Sequence, residues 1–121
     1  MKIAITSTGR QKGAPVDPRF GRASYFILAE VDENVTFLDV VPNTQNQQSP
    51  QGAGIQSAQT IHANKAEAVV TGHVGPKAYR ALAAAGIAIY LTTGGTVQEA
   101  AEAYLSGYLT RAQSADVEGH W

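Results

Sequence analysis

The period of the apolar positions changes along this chain. Lys2–Ser7 alternates, with Ile3 and Ile5 set against Lys2, Ala4 and Thr6, and predicts a strand. Tyr25–Val31 and Val35–Val41 predict two more. Asp32-Glu33-Asn34 between them is so short that the pair must be an antiparallel hairpin. Pro42 ends it. From Ile55 the spacing becomes helical: Ile55, Ala58, Ile61 and His62 form one stripe and predict a helix over Ile55–Ala63. Ala68–Thr71 is a short β-branched run suited to a strand buried on both faces. Pro76–Ala85 reads as a helix, with proline at the first position, where its missing N–H costs no hydrogen bond, and Gly86 as its cap. Ile87–Leu91 is another buried strand. Thr96-x-x-Glu99 is a capping box opening a helix with Val97, Ala100, Ala101, Tyr104 and Leu105 on its apolar face.

The order is therefore β-β-β-α-β-α-β-α. Strand–helix alternation demands parallel strands joined by crossovers. The expectation is an α/β fold with a five-stranded mixed sheet, helices on its faces and the hairpin at one edge. Strand one then lies beside strand four. The loop after strand one and the turn after strand four share the sheet's C-terminal end, where open α/β sheets bind ligands. Residues 1–110 form one domain on this reading, and residues 111–121 a loose, polar tail.

Composition narrows the function. The chain has 121 residues, 44% hydrophobic and 16% charged, as expected for one domain with a real core. A formal net charge of −1 provides no global field for nucleic acid. No apolar run approaches the roughly 20 residues of a membrane span. Met1–Thr6 alternates too much for a signal peptide, so a cytoplasmic protein is expected. Cysteine is absent, which rules out disulfides and any Cys-ligated zinc or iron–sulfur site. A metal would need histidine, carboxylate or backbone ligands, or would arrive inside a preformed anion.

The stretch with most chemistry is Gly72-His73-Val74-Gly75-Pro76, a glycine turn between a buried strand and a helix N-terminus. Free N–H groups and the positive end of a helix dipole attract anions there. An ordinary αβ turn with two flexible glycines explains the same residues. Thr8–Arg22 is a long loop carrying Arg10, Lys12, Arg19 and Arg22 against a single acid, Asp17. Arginine forks suit oxyanions, although a solvated charged loop has the same composition. Phe20 anchors this loop. His73 is a candidate metal ligand or proton donor, His62 a packed helix histidine and His120 a tail residue. No GxGxxG or GxxxxGK[ST] occurs. Thr6–Gln11 is followed by Pro15 and Pro18 instead of a helix, which argues against a flavin phosphate loop.

These residues resemble a known family. Asp17-Pro18-Arg19-Phe20-Gly21-Arg22-Ala23-x-x-Phe26, then Gly52-Ala53-Gly54 opening a helix, then Ala68-Val69-Val70-Thr71-Gly72-x-x-Gly75-Pro76 with Ala78 and Leu82, then Gly86-Ile87, are similar to the dinitrogenase iron–molybdenum cofactor-binding family. NifX, NafY and the C-terminal part of NifB belong to it. The resemblance spans about residues 1–110. It implies a ribonuclease-H-like fold and a protein that binds or carries a preformed metal–sulfur cluster without catalysing turnover. The cysteine-free, stand-alone form is similar to a branch carrying a molybdenum–copper sulfide cluster held non-covalently. Carried onto this sequence, the cofactor-binding positions are Arg10, Lys12, Arg19, Phe20, Gly21, Arg22, Gly52, Gly54, Gly72, His73, Val74 and Gly75, with His73 a candidate metal ligand. A cluster that brings its own sulfides needs positive charge, N–H donors and apolar wall, the last from Phe20, Val74 and Ile55. Partners would be the cluster itself and proteins that deliver or receive it.

Two other functions compete. A ribonuclease-H-like hydrolase would want carboxylates on its central strands, but strand one offers none, and Asp39 sits alone on the hairpin. A regulatory or protein-interaction module binding a small anion would use Asn43–Gln51, polar and low in complexity, to dock a partner.

Overall fold

The computed structural model describes residues 1–43 and 52–117. Strands β1 (Lys2–Ser7), β2 (Tyr25–Val31) and β3 (Val35–Pro42) come first. They are followed by α1 (Ala53–Ala63), β4 (Ala68–Thr71), α2 (Pro76–Ala84), β5 (Ala88–Leu91), α3 (Val97–Leu105) and β6 (Thr110–Arg111). They build one mixed sheet in the order β3-β2-β1-β4-β5-β6. β1 runs parallel to β4, and β4 to β5; β2 and β3 form the antiparallel hairpin at one edge.

The sheet has six strands, not five. The added strand is β6, which lies antiparallel to β5 with Tyr90 opposite Arg111 and Leu91 opposite Thr110. Two exposed residues have no hydrophobic period, so only their pairing makes them a strand. The segment expected as a loose tail thus begins in the sheet, and Ala112 N–H donates to the Ile89 carbonyl at 2.8 Å.

Alternation along the strands sorts the core into two layers. Ala4, Phe26, Leu28 and Val69 face α1 and α2, where Ala58, Ile61, Ala78 and Leu82 meet them. Ile3, Ile5, Ile27, Ala29 and Val70 face α3, where Val97, Ala100 and Ala101 cover them. β1 is buried from Ile3 onward because it has both a layer on each face and a strand on each side. At the outer edge, β3 carries a bulge. The register jumps from Leu28–Asp39 to Ala29–Phe37, and the skipped Leu38 is half-exposed. Such a break discourages an edge strand from pairing with another chain.

The α1 stripe differs from expectation. Its buried residues are Ala53, Ser57, Ala58 and Ile61, whereas Ile55 and His62 are exposed. The hydroxyl of Ser57 donates to the Gly21 carbonyl and lies 3.2 Å from Asn43 Oδ1, so this polar residue faces inward. A residue two positions away on either side then turns toward solvent. The other expected elements form within a residue or two of their predicted ends. Among the described residues no helix is long and apolar enough to cross a membrane. The Asn43–Gln51 loop and His120 fall almost wholly outside the described residues, only Asn43 being included.

Candidate functional site

β1 and β4 end side by side, and the segments that leave them fold onto one another. After β1, Thr6 turns the chain back: its backbone carbonyl accepts from Asp17 N–H at 3.0 Å, and its hydroxyl donates to the Asp17 carbonyl at 2.8 Å. The Thr6 hydroxyl also lies 2.9 Å from Thr71 Oγ1 at the end of β4. Asp17 is buried, and its Oδ1 accepts from Arg19 N–H at 3.0 Å, an Asx turn that sets the direction of the next residues. Arg19 then bridges His73 in a parallel backbone contact, and Phe20 N–H donates to the His73 carbonyl at 3.3 Å. The basic loop therefore lies directly on the glycine turn.

Glycines permit this approach. A Cβ on Gly72 would sit 2.7 Å from Pro18 Cα and 2.9 Å from its carbonyl oxygen. A Cβ on Gly21 would meet the Gly54 backbone at 2.7 Å, and one on Gly54 would meet Ala78 Cβ at 2.7 Å. The loop, the start of α1 and the start of α2 are thus stacked through three small residues. Below them Asn43 Nδ2 donates to the Ala23 carbonyl at 2.9 Å, and Asn43 N–H to the Ser24 carbonyl at 2.9 Å. Loop 8–24 is pinned along its whole length, although it has no helix and almost no strand. Its first half is tied to α3: Val97 N–H donates to Ala14 O and Gln98 N–H to Lys12 O, each at 2.9 Å.

The expected site residues separate into groups. Arg19, Gly21, Gly54, Gly72 and His73 come together at the ends of β1 and β4. Phe20 and Val74 are fully buried among the residues beneath α1 and α2, where Phe20 packs on Phe26 with ring centroids 5.7 Å apart. Their side chains anchor the loop and the turn. Arg10 lies over the Tyr25 ring at 5.3 Å and Lys12 over Phe37 at 5.6 Å, on the α3 side of the hairpin. These aromatic contacts hold both cations by their ring faces. Arg22 is half-buried just after Gly21. Gly52 is left-handed at φ 79° and precedes α1; Gly75 is extended and precedes α2.

One residue that the sequence did not single out completes the turn. Asp116 Oδ1 accepts from Val74 N–H at 2.7 Å, and Oδ2 lies 2.8 Å from His73 Nδ1. Asp116 N–H returns a bond to the Val74 carbonyl at 3.1 Å. An ionised carboxylate only accepts, so Nδ1 carries the hydrogen in this pair. In a neutral ring the lone pair is then on Nε2. Asp116 lies in a polar stretch with no period or motif, and no local signal points to it. Asp17 did carry a signal, as the Asx residue of Asp-Pro-Arg.

Among the described residues no three His, Asp or Glu side chains gather into a metal cage. The donor set is a histidine, N–H groups and cations. It suits a group that brings its own ligands and carries negative charge.

Known proteins share this α/β fold. The family model described as dinitrogenase iron-molybdenum cofactor matches residues 1–107, and the chain belongs to that family. Its structure is similar to that of the apo form of the orange protein from Desulfovibrio gigas. The TM-score is 0.85 and the identity 37%, over 96% of both chains. It is also similar to a NifB-like protein from Thermotoga, with a TM-score of 0.82 and 35% identity over 98% of both. An uncharacterized protein of Methanocaldococcus jannaschii is 27% identical over 112 residues, 92% of this chain and 91% of that one. The family resemblance seen in the Arg19–Arg22 and Gly72–Pro76 motifs is thereby established, and with it a role in binding a metal-containing cofactor.

Proposed function

We propose that this protein is a non-catalytic, cytoplasmic carrier of a preformed anionic metal–sulfur cluster. The cluster contains molybdenum, with a molybdenum–copper sulfide as the version to test first. It is held without covalent bonds at the ends of β1 and β4. Arg19 supplies charge, supported by Arg22 and, from further off, by Arg10 and Lys12. The Gly72–Gly75 turn and the backbone around Gly21 and Val74 supply donors, Phe20 anchors the loop, and Gly52 and Gly54 open α1 beside them. Residues 1–110 act as one cluster-binding domain. The order β3-β2-β1-β4-β5 also supports a ribonuclease-H-like fold. Proteins that deliver or receive the cluster are its partners.

The observation that carries this reading is the contact of Arg19 with His73. It brings the basic loop onto a turn where Gly72 leaves room for Pro18, whose Cα a Cβ there would meet at 2.7 Å. Adding tetrathiomolybdate and copper to the apo protein should give a coloured complex that survives desalting. Colour and metal lost on desalting would reject the molybdenum–copper version. Because charge holds the ligand, affinity should fall above about 0.1 M salt, where the Debye length is about 10 Å. Arg19→Ala should weaken binding and leave the fold intact.

A second reading is favoured by the His73–Asp116 pair. A carboxylate behind a histidine is the usual arrangement behind a metal-bound imidazole. On that reading His73 bonds the metal through Nε2, and His73→Ala abolishes binding at every salt concentration. Capture by charge and backbone donors instead leaves His73→Ala modestly weakened and still salt-sensitive.

A further inference from the structure

We propose that the Asp116 carboxylate is an internal stand-in for the anionic ligand: the ligand takes the Val74 N–H and the His73 Nδ1–H in its place. This inference rests on the anion-carrier reading and deepens it. The two donors are neighbours in sequence and project to one point, where two oxygens of a single carboxylate accept from them at 2.7 and 2.8 Å. That is the pattern by which a turn holds any anion presenting two adjacent acceptor atoms. The acceptor here comes from 42 residues further along the chain than Val74. It is carried by a segment that lies outside the helices and strands. Among the described residues, Ala112 N–H donates to the Ile89 carbonyl and Asp116 N–H to the Val74 carbonyl. Ala112 packs on the core beneath α1 and α2, and the residues from Gln113 to Val117 are exposed or half-exposed.

The exchange balances physically. Leaving the turn without a partner would strand the partly buried Val74 N–H, which costs more than a made hydrogen bond returns. Asp116 prevents that in the apo protein. A dianion or cluster replaces one carboxylate with a larger charge and the same two acceptors, and the displaced Asp116 regains water. Until it leaves, the ligand sees only the fraction of molecules whose turn is open, and its apparent affinity is reduced by that fraction.

The test compares wild type, Asp116→Ala and Asp116→Asn by titration with tetrathiomolybdate and with molybdate, and by amide hydrogen exchange with and without ligand. Asp116→Ala should bind about tenfold tighter, the scale of one charge-assisted contact. Asp116→Asn should fall between the two. In wild type the ligand should speed exchange at the Asp116 amide while the Val74 amide stays protected, now by the ligand. Tighter binding by the variants with the wild-type Asp116 amide still protected when loaded would show repulsion through space and overturn displacement. Unchanged or weaker binding of both anions in Asp116→Ala would overturn it while the carrier reading stands. Tightening seen with molybdate only would support displacement and reject the sulfide cargo. Neither anion binding any of the three proteins would reject both.

Discussion

Two turns leave parallel strands at the same end of the sheet, and each opens a helix. Thr92–Thr96 follows β5 and leads into α3; Gly72–Gly75 follows β4 and leads into α2. From sequence they look alike, glycine-rich and hydroxyl-flanked. The first is closed by its own capping box and by loop backbone, with Val97 N–H and Gln98 N–H donating to the Ala14 and Lys12 carbonyls. Thr96 Oγ1 accepts from Glu99 N–H at 3.1 Å, and Glu99 Oε1 accepts from Thr96 N–H at 2.9 Å, both partners lying within one helical turn. The second has no side-chain cap at all. Its partly buried Val74 N–H is met by Asp116, 42 residues further along the chain. The glycines differ in purpose as well. Gly94 and Gly95 are left-handed, with φ of 73° and 81°, a conformation that L residues rarely hold. No residue between Gly72 and Pro76 is left-handed. Gly72 is needed because Pro18 passes where its side chain would be. A turn closed by its own cap and by backbone is a structural corner; one closed by a distant side chain can exchange it.

The comparison can be broken at its strongest point first. Gly72→Val should cost about 3 kcal/mol, since the added atoms meet backbone and the loop must lift. Urea unfolding measures the loss, and anion binding should go with it. Gly94→Ala should cost about 1–2 kcal/mol through its left-handed backbone, with open space around the new methyl. Its anion affinity should stay within twofold of wild type. A larger loss there would mean that the second turn belongs to the site. Thr96→Ala should cost about 1 kcal/mol as a lost cap, read from the same unfolding curves.

The smallest effect is a pH dependence. Hydrogen bonds from the Thr96 backbone, then from its side chain, hold the Glu99 carboxyl below its ordinary value of 4.5. A carboxyl lowered on folding adds stability above its unfolded value and loses it as pH falls through the folded one. Wild type and Glu99→Gln should therefore differ in urea midpoint near pH 6, and the difference should shrink as pH falls below 4.5. A constant difference across that range would show that the charge of Glu99 is not what caps α3.

Much of the fold was legible because it rests on short-range signals. The β2–β3 hairpin followed from a three-residue turn, the parallel β1–β4 pair from strand–helix alternation, and the α3 cap from residues three apart. The Arg19–Arg22 and Gly72–Pro76 motifs were legible as a family resemblance. Their reason was not, because it is the distance between two backbones. Tertiary structure also decided that Ser57 faces inward and Ile55 outward, since a hydroxyl on an apolar stripe is buried only where partners such as the Gly21 carbonyl await it. It made a strand of Thr110–Arg111, whose pattern predicts none. It placed Asp116 on His73 across 43 residues of sequence. Local period and capping chemistry act within a turn or two of chain, so sequence alone determined every element but β6, and their order. Which distant polar group closes a given turn depends on where the whole chain has packed, and only the tertiary structure could decide that.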